Sequence, residues 1–136
     1  MWACETDAED AIFTMMGARW CASHVENERG NPGFADVLYS YKGCRGFIEM
    51  KYTDNLQHAQ PMRIGLTREQ ADFLKLHGEV SGHCHIVLGV GRGQRFYRYD
   101  WRQAAQLLIP QRPSALLELG ELIEDLPHLL RILRRP

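Results

Sequence analysis

The stretch GFADVLYSYKGCRGFIEMKY, residues 33–52, decides the fold of this chain. Its two apolar runs, FADVLYSY and GFIEMKY, are joined by a glycine-containing turn, and this pattern predicts a β-hairpin. With the turn centred between Lys42 and Gly43, the numbers of antiparallel partners sum to 85, so Asp36 lies directly opposite Glu49. The hairpin therefore predicts that two acids meet on a strand pair otherwise built for a core.

The two acids share one face of the predicted hairpin with a lysine. Directly opposed side chains have Cβ atoms about 4.5–5.5 Å apart. Alternation along the strand puts Lys51 on the face of Glu49, roughly 7 Å further along. Val37, Ile48 and Met50 point to the other face, towards a core. One face of the hairpin is thus expected to form a functional site, and the other face is expected to pack in the core.

Two facing carboxylates repel each other unless a proton or a cation lies between them. Mg²⁺ resolves this conflict because it prefers oxygen ligands, and the backbone carbonyl of Met50 offers a further oxygen. Lys51 is then placed to position or deprotonate an attacking water, or to stabilise charge on a phosphate. The alternative is a register shifted by one residue, with Asp36 ending a loop and an exposed salt bridge between Glu49 and Lys51. Spacing alone leaves both interpretations open.

The chain as a whole predicts the element order α-β-β-β-α-β-β-α-α. ETDAEDAIFTMMG, residues 5–17, has apolar residues at helical spacing, and Thr6 or Asp7 can cap this first helix. A short strand near 20–25 precedes the hairpin. The segment 53–65 follows it as a loop without periodicity, of the kind that is often functional or mobile.

The second helix is predicted over LTREQADFLKLHG, residues 66–78, with a capping box formed by Thr67 and Gln70 and an end at Gly78. HCHIVLGV, GRGQ and RFYRYDW then predict a strand, a turn and another strand. The first of these strands places two histidines of HCH on one face. A tetrahedral zinc site needs two more ligands, so polar packing is the preferred interpretation.

Two further helices are expected at the C-terminal end of the chain. The first is short and covers 101–109, and the second is rich in leucine, is capped by Ser114 and is kinked by Pro127. The leucines of this last helix serve either the domain's own core or a contact between two copies.

Length and composition indicate one domain. The chain has 136 residues and is 45% hydrophobic, which suffices for one sizeable core. We expect a core of about 5–100 followed by a C-terminal helical extension of about 101–136. The N-terminus carries acids where a secretory signal would be basic, and no apolar run approaches the roughly 20 residues of a membrane helix. The four cysteines form no CxxC pair, so we expect reduced thiols in a cytoplasmic protein.

Charge is distributed unevenly along the chain. The net charge of −1 excludes coating of nucleic acid by bulk positive charge. However, residues 1–28 carry −5, whereas 29–68 and 91–102 each carry +3. Any contact with nucleic acid is therefore expected to be local.

These parts, in this order, resemble the PD-(D/E)xK nuclease superfamily. The resemblance rests on the acidic first helix, FADVLY with its acid at the strand start, a glycine-containing turn, GFIEMKY, and LTREQADFL followed by an apolar strand. It covers residues 5 to about 90 and is greatest with the small archaeal and phage Holliday junction resolvases and the stand-alone VRR-NUC nucleases. It implies an α/β, restriction-endonuclease-like fold: an αβββαβ core with a mixed central sheet flanked by helices, followed by C-terminal helices.

The resemblance also implies roles for individual residues. Asp36 and Glu49 would hold Mg²⁺, for which Mn²⁺ substitutes. Lys51 would be the catalytic lysine, and Gln70 would lie near the site. One departure is that the family's proline before the aspartate is Ala35 here, but the proline is not a ligand.

A further metal ligand is implied from the first helix. Glu5 and Glu9 lie one turn apart, and spacing does not choose between them. Glu9 has the better apolar register with Ile12, and Glu5 matches better in its distance to Asp36.

The expected function is a metal-dependent endonuclease that hydrolyses phosphodiester bonds in DNA. A DNA structure or end is the expected substrate, because no helix here resembles a base-reading helix. The basic residues that flank the site are expected to contact phosphates: Arg29, Lys42, Arg45, Arg63 and Arg68. The alternatives are a catalytically silent module that binds DNA or a protein partner, and an RNA or nucleotide phosphodiesterase.

The resemblance suggests a homodimer, since resolvase-like members of the superfamily are dimers. The leucine-rich last helix is the expected contact. If the protein is encoded by a phage, the resemblance implies action in the cytoplasm of the host cell.

Overall fold

The computed structural model describes residues 2–16, 21–24, 35–41 and 43–135. Arg29 and Lys42 lie outside these ranges. The helices are α1 (Glu5–Met16), α2 (Arg68–Ser81), α3 (Ala104–Leu107, after a 3-10 turn at Trp101–Gln103), α4 (Pro113–Leu119) and α5 (Leu126–Leu133). The strands are β1 (Cys21–His24), β2 (Val37–Tyr41), β3 (Cys44–Thr53), β4 (Cys84–Val90), β5 (Arg95–Asp100) and β6 (Glu121–Leu122).

The described strands form a mixed six-stranded sheet in the order β1-β2-β3-β4-β5-β6. β3 and β4 are parallel, and the other neighbours are antiparallel. In the hairpin, Val37 pairs with Ile48 and Leu38 with Phe47, so partner numbers sum to 85 as the turn predicted. Gly43 has a φ of 80° in this turn, a conformation that glycine adopts without strain. The register that is shifted by one residue is wrong.

The helix α2 connects the two parallel strands, because parallel neighbours need a crossover. Strand β4 is buried along its whole length, as expected for a central strand covered on both faces. One core contains α1, α5 and the hairpin face of Ile48 and Met50. The other core contains α2, α3, α4 and the face of Ile86 and Leu88. Glu49 is paired with Ile86 and therefore lies on the second of these faces.

The capping box of α2 is confirmed, but the end of this helix is not. Thr67 Oγ1 accepts from Gln70 N at 3.1 Å, and Gln70 Oε1 accepts from Thr67 N at 3.0 Å. The prediction that α2 ends at Gly78 is wrong, since the helix continues to Ser81 and Gly82 caps it with a φ of 78°. Gly78 lies inside the helix because the ring of Trp101 fills the space that a side chain would need.

The first helix begins before both of its predicted caps, Thr6 and Asp7. α1 starts at Glu5, so both residues lie within its first turn. Asp7 Oδ2 instead accepts from Ala3 N at 2.8 Å, which fixes the chain that enters the helix.

The prediction of a single last helix from Ser114 is wrong. Gly120 ends α4 in an extended conformation, and the next two residues form β6, where Leu122 pairs with Tyr97 of β5. Asp125 then caps α5 by accepting from His128 N at 2.8 Å. Pro127 lies in the first turn of α5, where a missing N–H costs nothing, and does not kink a continuous helix.

The segment between β3 and α2 is anchored at several points. Met62 and Gln111 form an isolated β-bridge, and Ile64 and Leu66 are buried in the second core. None of the helices in the described ranges combines the length and apolar character that crossing a membrane requires.

Candidate active site

Asp36 lies at the bend where the chain enters β2. Its Oδ2 accepts a hydrogen bond from the backbone N–H of Met50 at 2.9 Å. The carboxylate thus accepts a hydrogen bond that a backbone carbonyl of the neighbouring strand accepts in a regular ladder. This bond fixes Asp36 against β3. This contact holds Asp36 beside Glu49, as the register predicted.

Glu49 and Lys51 form a buried ion pair on β3. Lys51 Nζ lies 3.2 Å from Glu49 Oε1, and the residues are 7% and 0% exposed, respectively. The alternative of an exposed salt bridge is therefore wrong. Burial of both groups is costly unless the remaining oxygens and protons find partners.

The carboxylate of Glu49 lacks hydrogen bonds. Both of its oxygens are buried, and neither accepts a well-aligned hydrogen bond from any described residue, although the Lys51 ammonium is within ion-pair distance. Burial, and next the charge of Asp36, raise the pKa of Glu49 to about 8, while Lys51 opposes the shift. A buried carboxylate with a raised pKa and without well-aligned hydrogen bonds is typical of a binding or catalytic site.

Glu5 of α1 shares the electrostatic environment of this carboxylate. Burial, and next the charge of Asp36, raise the pKa of Glu5, while Lys51 lowers it. Glu5 also contributes to the raised pKa of Glu49. Glu9 is buried one turn further along and acts on the pKa of Glu5. These interactions favour Glu5 as the helix acid of the site, but the choice between the two acids stays a prediction.

The donors available for a metal ion are two facing carboxylates and a backbone carbonyl. Among the described residues, no group of three or more His, Cys, Asp or Glu side chains is arranged to hold a metal ion. The predicted set includes the carbonyl of Met50, which is not a side chain. The two buried oxygens of Glu49 that lack hydrogen bonds fit a hard cation, because such a cation would supply the missing partner. The ligand set therefore stays a prediction that the donor chemistry supports.

Gln70 has a structural role in the cap of α2. Its side-chain oxygen accepts from Thr67 N, so this oxygen is already occupied. Gln70 precedes Phe73 by three residues and so lies on the same side of the helix, and the ring of Phe73 contacts the ring of Phe47 at a centroid distance of 5.1 Å. Phe47 shares its strand face with Glu49. Gln70 therefore lies on the side of α2 that faces β3, and its catalytic role stays a prediction.

Three of the five residues that are predicted to contact phosphates lie within the described ranges. Arg45, Arg63 and Arg68 are exposed. Arg45 lies four residues before Glu49 on the same strand face, a separation of about 13 Å. Arg68 pairs with Asp72 at 3.3 Å, and this ion pair partly neutralises the charge that Arg68 presents to a phosphate.

A second buried polar cluster, which we call the sheet network, lies on the opposite face of the sheet. Arg98 Nε donates to His85 Nδ1 at 3.1 Å, so the ring proton of His85 is on Nε2 and donates to the Tyr39 hydroxyl at 3.2 Å. The Tyr39 hydroxyl donates to the carbonyl of Leu133. Burial, and next the charge of Arg98, lower the pKa of His85, which stays neutral. His85 of the HCH motif thus packs within a hydrogen-bond network, as the preferred interpretation predicted.

The sheet network continues to the C-terminal segment. Arg98 also pairs with Asp100 at 3.5 Å and with Glu121 at 3.9 Å. Glu121 accepts from Arg135 Nη1 at 2.7 Å and from His128 Nε2 at 3.0 Å. The hydrogen bond from Arg135 is the main reason that the pKa of Glu121 falls to about 2. Sequence reasoning missed this network, although an arginine inside the apolar strand RFYRYDW is a signal for a buried partner.

Comparison with known proteins shows which fold this is. No family model matches the chain, and no curated protein matches it in sequence. In solved structures, the sheet and its flanking helices match a resolvase-like nuclease fold. One such structure is the 1.6 Å structure of Hjc from Archaeoglobus fulgidus, a Holliday junction resolvase from an archaeal hyperthermophile. The match has a TM-score of 0.63 and 16% sequence identity, and it covers 87% of this chain and 95% of that chain. The α/β fold that the resemblance implied is thereby confirmed.

Proposed function

We propose that this protein is a divalent-metal-dependent deoxyribonuclease that cuts DNA at a particular structure or end, as a junction resolvase does. The observation that carries the proposal is the buried carboxylate of Glu49, which lies beside Asp36, forms an ion pair with Lys51 and accepts no well-aligned hydrogen bond from the described residues. Two supports are independent of it: the resolvase-like nuclease fold, and the spacing of the two acids and the lysine in the hairpin.

The proposed metal site uses oxygen atoms from β3, from the bend before β2 and from α1. Asp36, Glu49 and the carbonyl of Met50 would hold Mg²⁺ or Mn²⁺, with Glu5 in preference to Glu9 as the acid from α1. The bound ion would supply Lewis acidity towards the phosphodiester and its attacking water.

The side chains have separate tasks in this proposal. Asp36 keeps its position because Met50 N–H donates to it, so it presents its other oxygen at a fixed place. Lys51 presents an ammonium group in a buried setting, where it orients the attacking water and stabilises charge that develops on the phosphate. Glu49 anchors that ammonium at 3.2 Å and so determines where the proton donor lies.

DNA is the proposed partner, and Arg45, Arg63 and Arg68 are proposed to contact its phosphates. Each contact would displace counterions, so affinity should fall with added salt despite a net charge of −1. We also propose a homodimer, because cutting two symmetric strands most simply uses two sites related by a twofold axis. Free thiols at Cys4, Cys44 and Cys84 support a reducing, cytoplasmic environment.

The experiment is incubation of the purified protein with linear, nicked, flap and four-way DNA in Mg²⁺, Mn²⁺ or EDTA. The expected result is cleavage of at least one branched or end-containing DNA with either metal ion and none in EDTA. Glu118→Ala, which removes an exposed acid of α4, is the matched control for Glu49→Ala. Cleavage by Glu49→Ala at the rate of the wild type would show that the site is assigned wrongly.

A catalytically silent DNA-binding module is the second candidate function. It is favoured by one observation, the absence among the described residues of three acidic, His or Cys side chains arranged around a common point. A silent module would bind the same DNA panel and leave every member intact in all three conditions. Adding single-stranded and duplex RNA to the panel separates a deoxyribonuclease from a general phosphodiesterase.

A further inference from the structure

Two adjoining hollows lie beyond the C-terminal ends of β3 and β4. Their volumes are about 210 Å³ and 480 Å³. Leu56, Gln57 and Leu117 line both hollows, so the two form one continuous groove, which we call the basic groove. The larger hollow is of the size that binds a small ligand or a nucleotide.

The charge of the basic groove is positive and uncompensated. Arg92, Arg95 and Arg112 line it, and its lining includes no acidic side chain. Arg92 donates to the amide oxygen of Gln57 at 3.0 Å, and none of the three arginines pairs with a carboxylate of the described residues. By contrast, Arg68 at the start of α2 is paired with Asp72. The groove therefore favours an anionic occupant.

The lining of the groove also includes apolar side chains. Leu56, Val90 and Leu117 are among them, and Leu117 is 42% exposed. Apolar side chains beside arginines suit a nucleic-acid strand whose bases are unstacked, because the bases can contact the apolar side chains while the phosphates contact the arginines. A duplex presents its phosphates on a convex surface with the bases turned inward, so it would contact the arginines and leave the apolar side chains uncovered.

The groove begins close to the candidate active site. Strand β3 leads from Lys51 to Thr53, and Asn55 of the groove follows two residues later. Four extended residues span about 13 Å. A DNA strand in the groove would therefore lie within a few nucleotides of the proposed cutting position.

We propose that the basic groove binds an unpaired DNA strand where it leaves the duplex. The proposal rests on the proposed function and makes it more specific, because it names branched or end-containing DNA with unpaired nucleotides as the preferred substrate class. None of the three arginines belongs to the set predicted from the sequence as phosphate contacts.

The test measures binding in EDTA, where no cleavage occurs. Fluorescence anisotropy gives the Kd for a blunt duplex and for the same duplex with a single-stranded overhang, over a range of salt concentrations. Arg95→Ala with Arg112→Ala removes one arginine from each hollow. The expected result is about tenfold weaker binding of the overhang DNA, a salt slope reduced by about 1.4 for two lost phosphate contacts, and less than about twofold change for the blunt duplex.

Three further variants make the result specific. Arg131→Ala with Arg134→Ala removes the same charge from exposed positions at the end of α5 and should leave the ratio of the two affinities unchanged. Arg95→Lys with Arg112→Lys should retain most of the overhang affinity, because it keeps the charge. Leu117→Ser should weaken overhang binding about threefold with an unchanged salt slope, because it removes an apolar contact.

Equal loss of affinity for blunt and overhang DNA in Arg95→Ala with Arg112→Ala would overturn the proposal, and so would no loss for either DNA. Because binding is measured without a metal ion, a protein that cleaves nothing but keeps the preference for overhangs would refute the proposed function and support the groove. A protein that cleaves with Mg²⁺ and shows no such preference would do the reverse.

Discussion

The two faces of the sheet each bury a charged cluster, and the clusters differ in how far their hydrogen bonds are satisfied. In the sheet network, Arg98 donates to His85, and His85 donates in turn to the Tyr39 hydroxyl. On the other face, both carboxylate oxygens of Glu49 are buried without a hydrogen bond from the described residues. Lys51 forms an ion pair with Glu49 but does not satisfy the hydrogen-bonding capacity of the carboxylate.

This difference is the reason that we assign a structural role to one cluster and propose a functional role for the other. A satisfied network contributes to stability and has no need of a ligand. An incompletely satisfied carboxylate reduces stability, so it is retained where it does something else. Acidic and basic residues on neighbouring strands thus form a hydrogen-bonded network on one face and an incompletely hydrogen-bonded cluster on the other.

The largest expected effect is on cleavage. Glu49→Ala or Lys51→Ala should lower the single-turnover rate by at least about 10²-fold, because each removes a group proposed to act on the reacting phosphate. Glu49→Ala should also weaken Mg²⁺ binding, measured by calorimetry, whereas Lys51→Ala should not. Lys75→Ala on the exposed face of α2 is the control for the lost lysine.

Cleavage should not depend on the sheet network in this way. Arg98→Leu, assayed at a temperature where it is folded, should cut within a few-fold of the wild type. A loss as large as that of Glu49→Ala would remove the distinction between the two faces.

The second effect is on stability. Arg98→Leu should lower the free energy of unfolding by about 3–5 kcal/mol, because it removes the buried guanidinium that pairs with Asp100 and donates to His85 Nδ1. Arg102→Leu, which removes an exposed arginine from the same Asp100 at 3.0 Å, should cost at most about 1 kcal/mol. Urea unfolding followed by circular dichroism measures both. Equal costs would mean that burial does not decide the value of these pairs.

Much of the site could be predicted because it depends on local geometry. A predicted turn centred between Lys42 and Gly43 fixes the register of the whole hairpin, so opposing Asp36 and Glu49 required no knowledge of the rest of the fold. The burial of Glu49 could not be predicted from the sequence, since it depends on how distant elements pack over that face. The alternative of an exposed salt bridge stayed open for this reason.

The errors occurred where one residue type fits two structures. Gly78 and Gly82 both suit a helix end, and the contact of Trp101 with Gly78 decides between them. Pro127 suits a kink as well as the first turn of a new helix. The strand β6 has two residues and therefore no period to recognise.

The third effect is a pH dependence of stability without a metal ion. The pKa of Glu49 rises from an ordinary 4.5 to about 8 on folding, so the folded state binds more protons between these values. Stability of the wild type should therefore fall as pH rises from 4.5 towards 8, by at most about 1.4 kcal/mol per pH unit. Glu49→Gln lacks this titration and should become the more stable protein as pH increases.

Thermal unfolding of the wild type and Glu49→Gln across this range measures the effect. Mg²⁺ should reduce the difference at the alkaline end, because it would stabilise the charged carboxylate. Glu118→Gln, at an exposed position, should show no such divergence. Parallel curves for the wild type and Glu49→Gln would show that the carboxylate is solvated in solution.

The smallest expected effect concerns association, and it asks whether the C-terminal segment beside the sheet network also forms a contact between copies. Leu116, Leu129, Ile132 and Leu133 are buried in this chain's own cores, so the predicted interface cannot be the whole leucine-rich segment. Leu122 in β6 remains 40% exposed, next to the ion-paired Glu121.

If a dimer forms through this edge of the sheet, Leu122→Glu should shift the protein towards a folded monomer, because its exposed side chain does not support the core. Leu76→Glu, at a position that is 61% exposed on α2, is the matched control and should leave the dimer intact. Light scattering gives the mass of each variant. A stable dimer buries at least about 1,200 Å², so other exposed residues must take part and a single charge should weaken it without preventing folding. A wild type that is monomeric at micromolar concentration would contradict the dimer, and the C-terminal leucines would then only cover the sheet. Paired cuts in a four-way junction would in that case require two separate binding events.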